Sequence, residues 1–520
     1  MIEKLLEKRF ITLFLIPLFI GSLSVLSFQP FNYILINFFV LPFCFYLIIF
    51  IKKKSKSIYR KKPFKKNLFL FGTSFGFGFY FSGIHWITNS LTFDESFTYL
   101  IPFALILIPL FLSLFFSFAF LILGPFINLN FGSIFLFSGV LSFSDYLRAK
   151  LLTGFPWNIW AYSFSWNLEI IQILNKLGLF AFNIISITFF MTPIILFLKI
   201  NKNKKFVYLI LAIITAFSFY IYGNYLLNEN KKTIPLNNNK IHVKVISPNF
   251  KLEYNLNKKE IKKRLVKLVR YSDPVKDLKT IFVWPEGVFS GYSFKEILIF
   301  KEHFTKSFNK NHYVIFGINR YDEEKKGFYN SLIVVNNDLK IIGEYRKQKL
   351  VPFGEFLPLE KLFNYIGLKK ITEGHGSFLK ANPQKNLRIE NLNILPLICY
   401  EIIFTELIQK SHQGTNLIIN ISEDGWFGDS IGPYQHFAKS IFRAIEQDTF
   451  LVRSTNKGIS AIINNKGKVL KKLEPNEAGN IELEVPLIKS KYRNKNDLIF
   501  FALLITYIFI FNLYKKDDER

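Results

Sequence analysis

The chain has 520 residues, half of them apolar and 62 of them phenylalanine, and its formal net charge is +28. This length is enough for two domains. The basic residues are spread along a sequence that is also rich in Asn, Ile and Tyr, so the charge indicates a compositional bias and we expect no nucleic-acid partner. The two cysteines, Cys44 and Cys399, are expected in different domains, which excludes a disulfide framework.

Apolar runs close to the ~20 residues that cross a bilayer fill most of the first 230 residues. Lys4, Lys8 and Arg9 precede the first run, as in a signal peptide, but no small-residue cleavage site follows, so we expect a retained anchor. The sequence therefore predicts a multi-pass α-helical membrane domain at residues 1–227, with about eight transmembrane helices in the whole chain. The predicted spans are 10–28, 32–51, 67–90, 99–123, 131–147, 177–198, 206–226 and 497–514.

Loop charges predict the orientation of these spans, because basic loops tend to stay in the cytoplasm. The N-terminus and the loops at 52–66 and 201–205 are basic, whereas the loop with Asp94 is acidic. Seven crossings then place the segment 228–492 outside, in the periplasm of a bacterium, and residues 493–520 form a last span with a cytoplasmic tail. We expect a protein of the bacterial inner membrane whose hydrophilic domain faces the periplasm.

The pattern changes between residues 240 and 486, where short strands alternate with amphipathic helices. Several of the strands are continuous apolar runs, as expected for a sheet that is covered on both faces. The sequence therefore predicts a layered α/β domain at 228–492, which begins with a polar linker at 228–240. The predicted strands are 242–246, 281–284, 313–318, 331–335, 341–344, 394–399, 417–421, 450–453 and 459–463, and the predicted helices are 257–271, 295–309, 402–411 and 433–447.

Three reactive side chains follow strands of this domain. Glu286 stands in Val-Trp-Pro-Glu-Gly, Lys347 in Tyr-Arg-Lys-Gln-Lys and Cys399 in Leu-Ile-Cys-Tyr-Glu. Ligand crevices in open α/β sheets lie beyond the carboxyl ends of strands, so the three side chains can meet in one pocket. A carboxylate can take a thiol proton and return it, and an ammonium stabilises a thiolate and an acyl-transfer oxyanion. The set predicts acyl transfer through Cys399.

The neighbours of these residues add supporting candidates. Strand alternation puts Lys347 and Lys349 on the same face, so the pattern alone does not choose between them. Glu355 follows in a rigid Pro- and Gly-containing loop. The backbone N–H of Tyr400 can point at an oxyanion, and Glu401 can orient Lys347 or cap a following helix.

The sequence contains few signals of any other kind of catalytic or metal site. It contains no Gly-x-Ser-x-Gly elbow, no phosphate-binding loop and no His pair at metal-ligand spacing, so we expect neither a metal nor a cofactor. His436 is the one histidine in a suggestive setting, and we expect a structural role for it. Cys44 lies within the second predicted span, where we expect a small buried apolar residue.

Glu, Lys and Cys in this order resemble the nitrilase superfamily, whose fold is an αββα sandwich. Over nearly the whole chain, the wider pattern resembles its membrane-bound branch, the bacterial apolipoprotein N-acyltransferases. The matching stretches are Tyr146-Leu-Arg-Ala, Thr153-Gly-Phe-Pro-Trp, Val283-Trp-Pro-Glu-Gly, Leu350-Val-Pro-Phe-Gly-Glu, Ile398-Cys-Tyr-Glu, Asp424-Gly-Trp-Phe-Gly-Asp-Ser-Ile-Gly-Pro-Tyr-Gln-His, Arg443-Ala-Ile-Glu and Arg453-Ser-Thr-Asn-Lys-Gly-Ile-Ser.

The resemblance implies a role for each matching residue. Glu286 would be the general base, Lys347 rather than Lys349 the catalytic lysine, and Cys399 the nucleophile that becomes acylated. The residues that would support the site or bind substrate are Glu355, Tyr400, Glu401, Trp426 and Tyr254. The sequence departs from the family where Ser422-Glu423-Asp424 replaces the usual Thr-Asn-Asp, and where Tyr254 stands in for a tryptophan.

The reaction implied by the resemblance is the last step of lipoprotein maturation. An acyl chain would pass from a phospholipid, through a thioester, to the α-amino group of the S-diacylglyceryl-cysteine of an apolipoprotein. The expected partners are therefore the phospholipid donor and the diacylated acceptor, and we expect a monomer. The alternatives are a membrane-tethered nitrilase-type amidase acting on a small amide, and a transporter or receptor whose outer domain only binds. The intact triad argues against pure binding, and the Trp-Phe-Gly-Asp-Ser match argues against a simple amidase.

Overall fold

The computed structural model describes two compact units in the chain. The first comprises Met1–Thr88, Tyr99–Tyr225 and Lys495–Arg520, and the second comprises Asn89–Thr98 and Leu226–Asn494. A short piece of the N-terminal half therefore belongs to the second unit. The described residues are 6–56, 61–233, 239–253, 256–358, 360, 377–409, 414–490 and 496–517.

In the first unit, most residues of each predicted membrane span are helical. Its longer α-helices are Ile16–Ser24, Asn37–Lys54, Phe64–Ile84, Ile101–Leu123, Phe131–Lys150, Leu179–Phe190, Lys202–Thr233 and Asn496–Asp517, and short ones cover Leu168–Ile171 and Leu174–Leu177. Among the described residues, five helical stretches are long and apolar enough to cross a membrane, namely Ile34–Lys54, Glu95–Leu123, Leu179–Phe197, Lys202–Glu229 and Asn496–Tyr514. The other three helices are shorter or carry several Gly and Ser residues, so the count of eight spans stays a prediction.

Small residues let the helices of this unit approach one another closely. A Cβ atom on Gly72 would lie 2.6 Å from the Cα atom of Ser117, and one on Gly78 would lie 2.1 Å from the carbonyl oxygen of Leu18. Close backbone packing of this kind drives helix association in lipid, where apolar side chains gain nothing by leaving the solvent. The helix Phe64–Ile84 therefore packs tightly on two neighbours.

Some of the predicted span and linker boundaries differ from the ends of the helices. The helix Lys202–Thr233 continues through the first residues of the segment predicted as a polar linker. The predicted span 67–90 ends as an α-helix at Ile84, after which the chain forms the 3-10 helix His85–Thr92.

The second unit contains two six-stranded sheets. The strands are β1 Lys240–Ser247, β2 Thr280–Val283, β3 His312–Asp322, β4 Gly327–Val335, β5 Ile341–Arg346, β6 Leu387–Ile389, β7 Leu392–Ile398, β8 Leu417–Glu423, β9 Leu451–Asn456, β10 Ser460–Ile463, β11 Val469–Leu473 and β12 Gly479–Pro486. Their orders are β12-β1-β2-β3-β4-β5 and β11-β10-β9-β8-β7-β6. The central pairs β1–β2, β2–β3, β7–β8 and β8–β9 are parallel, and the other pairs are antiparallel.

The two sheets pack face to face through aliphatic side chains. Val243 and Val283 of the first sheet share one buried cluster with Ile419 and Val452 of the second. A second cluster joins the outer face of the first sheet to helices on that side. Among the described residues of the unit, the α-helices are Lys258–Ser272, Phe294–Ile297, Lys301–Ser307, Thr405–Gln409 and Gly432–Gln447. The predicted αββα sandwich is confirmed.

All nine predicted strands are present, and the differences lie at the sheet edges and in two helices. The strands β6, β11 and β12 were not predicted, because β6 has three residues and the other two mix exposed polar and buried apolar positions. The predicted helix 295–309 is broken by the 3-10 turn Leu298–Phe300. The predicted helix 402–411 is replaced by a 3-10 helix, Cys399–Ile403, and one short α-helix.

Candidate active site

A buried lysine lies between two carboxylates at the carboxyl end of the first sheet. Lys347 directly follows β5 and is 1% exposed. Its Nζ atom donates to Oε1 of Glu355 at 2.9 Å and to Oε1 of Glu286 at 3.4 Å. Burial acts to lower the pKa of Lys347, but the two carboxylates outweigh it and raise the pKa above its usual value. The side chain is therefore a fixed cation.

Asn330, on β4, links the two carboxylates to the backbone of Lys347. Its Nδ2 atom donates at 2.7 Å to Oε1 of Glu286 and at 2.7 Å to Oε1 of Glu355, and its carbonyl oxygen accepts from the backbone N–H of Lys347 at 2.9 Å. The other oxygen of Glu286 accepts from the backbone N–H of Glu423 at 3.2 Å. Both oxygens of Glu286 are therefore held in place, which fixes the direction of the carboxylate.

Two glycines allow Glu286 to reach this position. A Cβ atom on Gly317, in β3, would lie only 2.9 Å from the Cα atom of Glu286. Gly287, the next residue of the chain, has φ +72°, a conformation that side chains strongly disfavour. The turn after β2 thus requires glycine on both sides of the carboxylate.

Cys399 stands at a strained turn between β7 and the 3-10 helix that follows. Its φ is +50°, in the left-handed region that non-glycine residues rarely adopt, and such strain is commonly found at functional sites. The residue is partly exposed. Desolvation around the sulfur raises the pKa of Cys399 well above its usual value; Glu286 adds to this effect, whereas Lys347 and a hydrogen bond with Ser422 oppose it. At neutral pH the group is a thiol, and it must lose its proton during any attack.

Glu401 connects the cysteine turn to the segment that carries the lysine. One of its oxygens accepts from the backbone N–H of Gln348 at 2.7 Å and that of Lys349 at 3.1 Å, and the other accepts from that of Ile398 at 2.9 Å. Both also accept from the hydroxyl of Tyr345 at 3.1 Å. Burial raises the pKa of Glu401 to about 7, although the backbone donors act against it. The side chain positions the backbone rather than Lys347 Nζ itself.

The structure separates the two lysines that the strand pattern left equivalent. The strand ends at Arg346, so the alternation does not continue through both residues. Lys349 pairs with Glu406 and lies over the ring of Phe404, 4.7 Å from its centroid. Of these two lysines, Lys347 is the one that contacts the two carboxylates of the candidate site.

The remaining candidates lie in different surroundings. Tyr400 is partly exposed, and its ring packs edge-on against Phe404 with 5.0 Å between centroids. The ring of Trp426 packs edge-on against Phe93 of the segment Asn89–Thr98, with 5.2 Å between centroids. Tyr254 lies outside the described residues.

A buried polar network behind Cys399 was largely missed from the sequence. Asp424 accepts from Ser422 Oγ at 2.6 Å and from Arg453 Nη2 at 2.8 Å, and its Oδ1 atom lies 3.1 Å from His436 Nδ1. Burial lowers the pKa of His436 to about 4. Burial would raise the pKa of Asp424, but Arg453 and His436 hold it at about 2. The motif Asp-Gly-Trp-Phe-Gly contained the signal, but the partners on other elements follow only from the fold.

Two families match parts of this chain. Residues 20–192 match the apolipoprotein N-acyltransferase N-terminal domain, and residues 262–490 match carbon-nitrogen hydrolase. An apolipoprotein N-acyltransferase of Rickettsia prowazekii (strain Madrid E) is 30% identical over 508 residues, which cover 95% of this chain and 96% of that protein. The chain belongs to the apolipoprotein N-acyltransferase family. The segment that matches carbon-nitrogen hydrolase contains all the candidate site residues except Tyr254, which precedes it.

A second relative and a solved structure are also similar to parts of this chain or to most of it. An apolipoprotein N-acyltransferase of Rhodopseudomonas palustris (strain ATCC BAA-98 / CGA009) is 29% identical and covers 96% of this chain and 95% of that protein. Among solved structures, Saccharomyces cerevisiae Nit3, a member of branch 10 of the nitrilase superfamily, is 15% identical with a TM-score of 0.34. The match covers 48% of this chain and 92% of that one. The two apolipoprotein N-acyltransferase relatives match nearly the whole chain.

Proposed function

We propose that this chain transfers an acyl chain from a phospholipid to the N-terminal α-amino group of a diacylated apolipoprotein. The observation that carries the proposal is the fixed Lys347 ammonium, which pairs with Glu286 and interacts electrostatically with the strained Cys399, on a chain of the apolipoprotein N-acyltransferase family. In this proposal Glu286 is the general base, Lys347 stabilises negative charge and Cys399 is the nucleophile.

The first half-reaction forms a thioester. Glu286 takes the thiol proton while the sulfur of Cys399 attacks an ester carbonyl of the phospholipid, because the raised pKa of the cysteine leaves little thiolate at rest. Lys347 and the backbone N–H of Tyr400 stabilise the tetrahedral oxyanion. As the carbon–oxygen bond breaks, the leaving lyso-phospholipid alkoxide receives the proton from Glu286.

The second half-reaction forms an amide. The neutral α-amino group of the acceptor cysteine attacks the thioester, and a second oxyanion forms at the same place. Glu286 takes a proton from the attacking nitrogen and gives it to the sulfur as the carbon–sulfur bond breaks. The products are the triacylated lipoprotein and the free thiol, so no cofactor is needed.

The two lipid substrates account for the two units of the chain. Both substrates carry long acyl chains that stay in a bilayer, so an enzyme that joins them has to work at a membrane. The apolar helices keep the catalytic unit at the bilayer. All the proposed catalytic groups come from one chain, so the reaction requires no second copy, and we propose a monomer.

The decisive functional assay uses purified protein with a phospholipid labelled in its acyl chain and a synthetic diacylated lipopeptide. We expect the label to move to the lipopeptide α-amino group with release of lyso-phospholipid. Release of ammonia from a small amide without lipid transfer would support the amidase, and binding without any turnover would support a receptor or transporter. Either of these results would contradict the proposal.

We further propose that residues 228–492 face the periplasm of the bacterial inner membrane. The inclusion of Asn89–Thr98 in the same unit supports this, since loop charges place that segment outside as well. Alkaline phosphatase and green fluorescent protein fusions after Lys232 and after Lys54 should report opposite sides, with phosphatase active only at the first. The same signal at both positions would contradict this orientation.

A further inference from the structure

Glu423 is a buried carboxyl group beside Glu286 that the proposed mechanism does not use. It is the last residue of β8 and is 4% exposed. Its backbone N–H donates to Oε2 of Glu286 at 3.2 Å. A Cβ atom on Gly287 would lie 3.3 Å from its Oε2 atom, which places the carboxyl group against the turn that carries Glu286.

The side chain of Glu423 joins three segments of the catalytic unit. Its Oε1 atom accepts from the backbone N–H of Gly425 at 2.9 Å, and its Oε2 atom accepts from Nδ2 of Asn456 at 2.8 Å. Asn456 lies at the end of β9. Its Oδ1 atom accepts from the backbone N–H of Phe250 at 2.7 Å, and its Nδ2 atom donates to the carbonyl oxygen of Phe250 at 3.0 Å. Glu423 therefore connects the turn after β8 with the segment after β1.

The charges around this group favour its neutral form. Glu286 has the ammonium of Lys347 at 3.4 Å, whereas the donors to Glu423 described above are uncharged amides. A buried carboxylate that lacks a cation is costly, and two neighbouring carboxylates rarely ionise together. Among the described residues, Glu286 after β2 and Asp424, next in the chain, favour the neutral form of Glu423, whereas Arg264 on the helix Lys258–Ser272 acts against it. The stem of Lys457 packs near the same turn.

We propose that Glu423 is a positioning residue that acts as a neutral carboxylic acid, holding the turn of Glu286 without adding a second negative charge to the site. The reason lies in the reaction: an oxyanion forms beside Lys347, and a further carboxylate would repel it and raise the pKa of Cys399 still more. A neutral acid of this kind can still accept the hydrogen bonds from Gly425 and Asn456, and it does not weaken the electrostatic field that the Lys347 ammonium exerts on the oxyanion. This inference rests on the proposed acyl-enzyme mechanism.

The inference predicts a loss of activity at alkaline pH. Burial is the main cause that raises the pKa of Glu423 to about 8, with Glu286 and Asp424 adding to it. A group with this pKa is roughly nine-tenths neutral at pH 7 and roughly one-tenth neutral at pH 9, so acyl-enzyme formation should fall about tenfold between these values. Glutamine keeps the shape and cannot ionise, so Glu423→Gln should fall less than twofold over the same range.

The test measures the rate of acyl-enzyme formation on the purified full chain in detergent micelles. Phosphatidylglycerol is the donor because its headgroup has no amine that titrates, and omission of the acceptor removes the α-amino group from the pH profile. Glu484→Gln is the matched control, since Glu484 lies on β12 with a side chain that is 65% exposed. The wild type and the control should show the tenfold fall that Glu423→Gln lacks. At pH 7.0, Glu423→Gln should form the adduct within threefold of the wild-type rate.

Three results separate the outcomes. A tenfold fall in Glu423→Gln, or loss of its adduct at pH 7.0 with the fold retained, would overturn this inference alone. Absence of an adduct in the wild type at pH 7.0 would overturn the proposed acyl-enzyme mechanism and the inference with it, whereas the transfer assay with a lipopeptide tests the proposed function separately. If the glutamine variant does not fold, infrared difference spectra of the wild type decide instead. A protonated-carboxyl band that disappears with the same midpoint as the rate supports the inference, and no such band overturns it.

Discussion

Replacing Cys399 with serine should abolish turnover, with acyl-enzyme formation at least about 10³-fold slower than in the wild type. The surroundings already raise the pKa of the thiol, so the sulfur depends on its intrinsic nucleophilicity and on proton transfer to Glu286. A serine hydroxyl in the same place is far less ionised and a poorer nucleophile. Rapid mixing with labelled phospholipid, followed by quantification of lyso-phospholipid, measures the loss.

Cys44→Ser is the matched control for this variant. Cys44 is fully buried in the helix Asn37–Lys54 of the first unit and has no part in the proposed chemistry. Its replacement should leave the rate of the transfer within about threefold of the wild-type rate, because a substitution at a buried position outside the proposed site affects stability rather than chemistry. Near-native rates of Cys399→Ser would contradict covalent catalysis.

Replacing Lys347 with methionine should slow both half-reactions by about 10²–10³-fold, the usual effect of removing one group that stabilises an oxyanion. Methionine fills a similar volume without the charge. Because Glu286 and Glu355 would then lie buried without their cation, we also expect a lower midpoint of thermal unfolding. Single-turnover rates for thioester formation and for discharge to a lipopeptide measure the two catalytic effects separately.

Lys349→Met tests whether the effect belongs to one lysine. The side chain of Lys349 pairs with Glu406 and lies away from the two carboxylates of the site. Its loss removes a partly exposed ion pair, which contributes about 1 kcal/mol or less, so both half-reactions should change less than threefold. Equal losses in the two variants would show that net positive charge, rather than the place of Lys347, supports the reaction.

The sequence predicted the layers of the catalytic unit because their signals are local. Continuous apolar runs marked the central strands such as β2, β7 and β8, which are buried on both faces. The edge strands β11 and β12 were not predicted because their stability comes from pairing with other strands. The strand β12 pairs with β1, which is distant in the sequence, and β11 pairs with β10 across an irregular register. Edge strands face solvent on one side and mix polar with apolar residues, so they lack the continuous apolar run that indicates a central strand.

The candidate site was predictable in its reactive groups and not in its framework. Glu286, Lys347 and Cys399 stand at strand ends within distinctive local sequences. Asn330 lies inside β4, where a lone amide resembles an ordinary strand position until the sheet brings it to two carboxylates. The positive φ of Cys399 is likewise a feature of the folded turn that a cysteine at this position does not predict.

The contribution of Asn89–Thr98 to the catalytic unit is a further feature that sequence reasoning did not reach. The segment lies between two predicted spans, where it reads as a plain loop. In the structure, Asn89 Nδ2 donates to the carbonyl oxygen of Phe427 at 2.6 Å, beside the packing of Phe93 on Trp426. A contact across more than three hundred residues of chain leaves no trace in local composition.

The most direct test of the proposed mechanism is intact-mass analysis of the enzyme mixed with phospholipid alone, under single-turnover conditions. The mechanism predicts a mass increase of one acyl group, located on the peptide that contains Cys399, together with one lyso-phospholipid per enzyme. Addition of a diacylated lipopeptide should then discharge the adduct as an amide at the rate of product formation. Product formation at the full rate without any adduct would contradict the mechanism, since transfer would then be direct and Cys399 would not carry the chain.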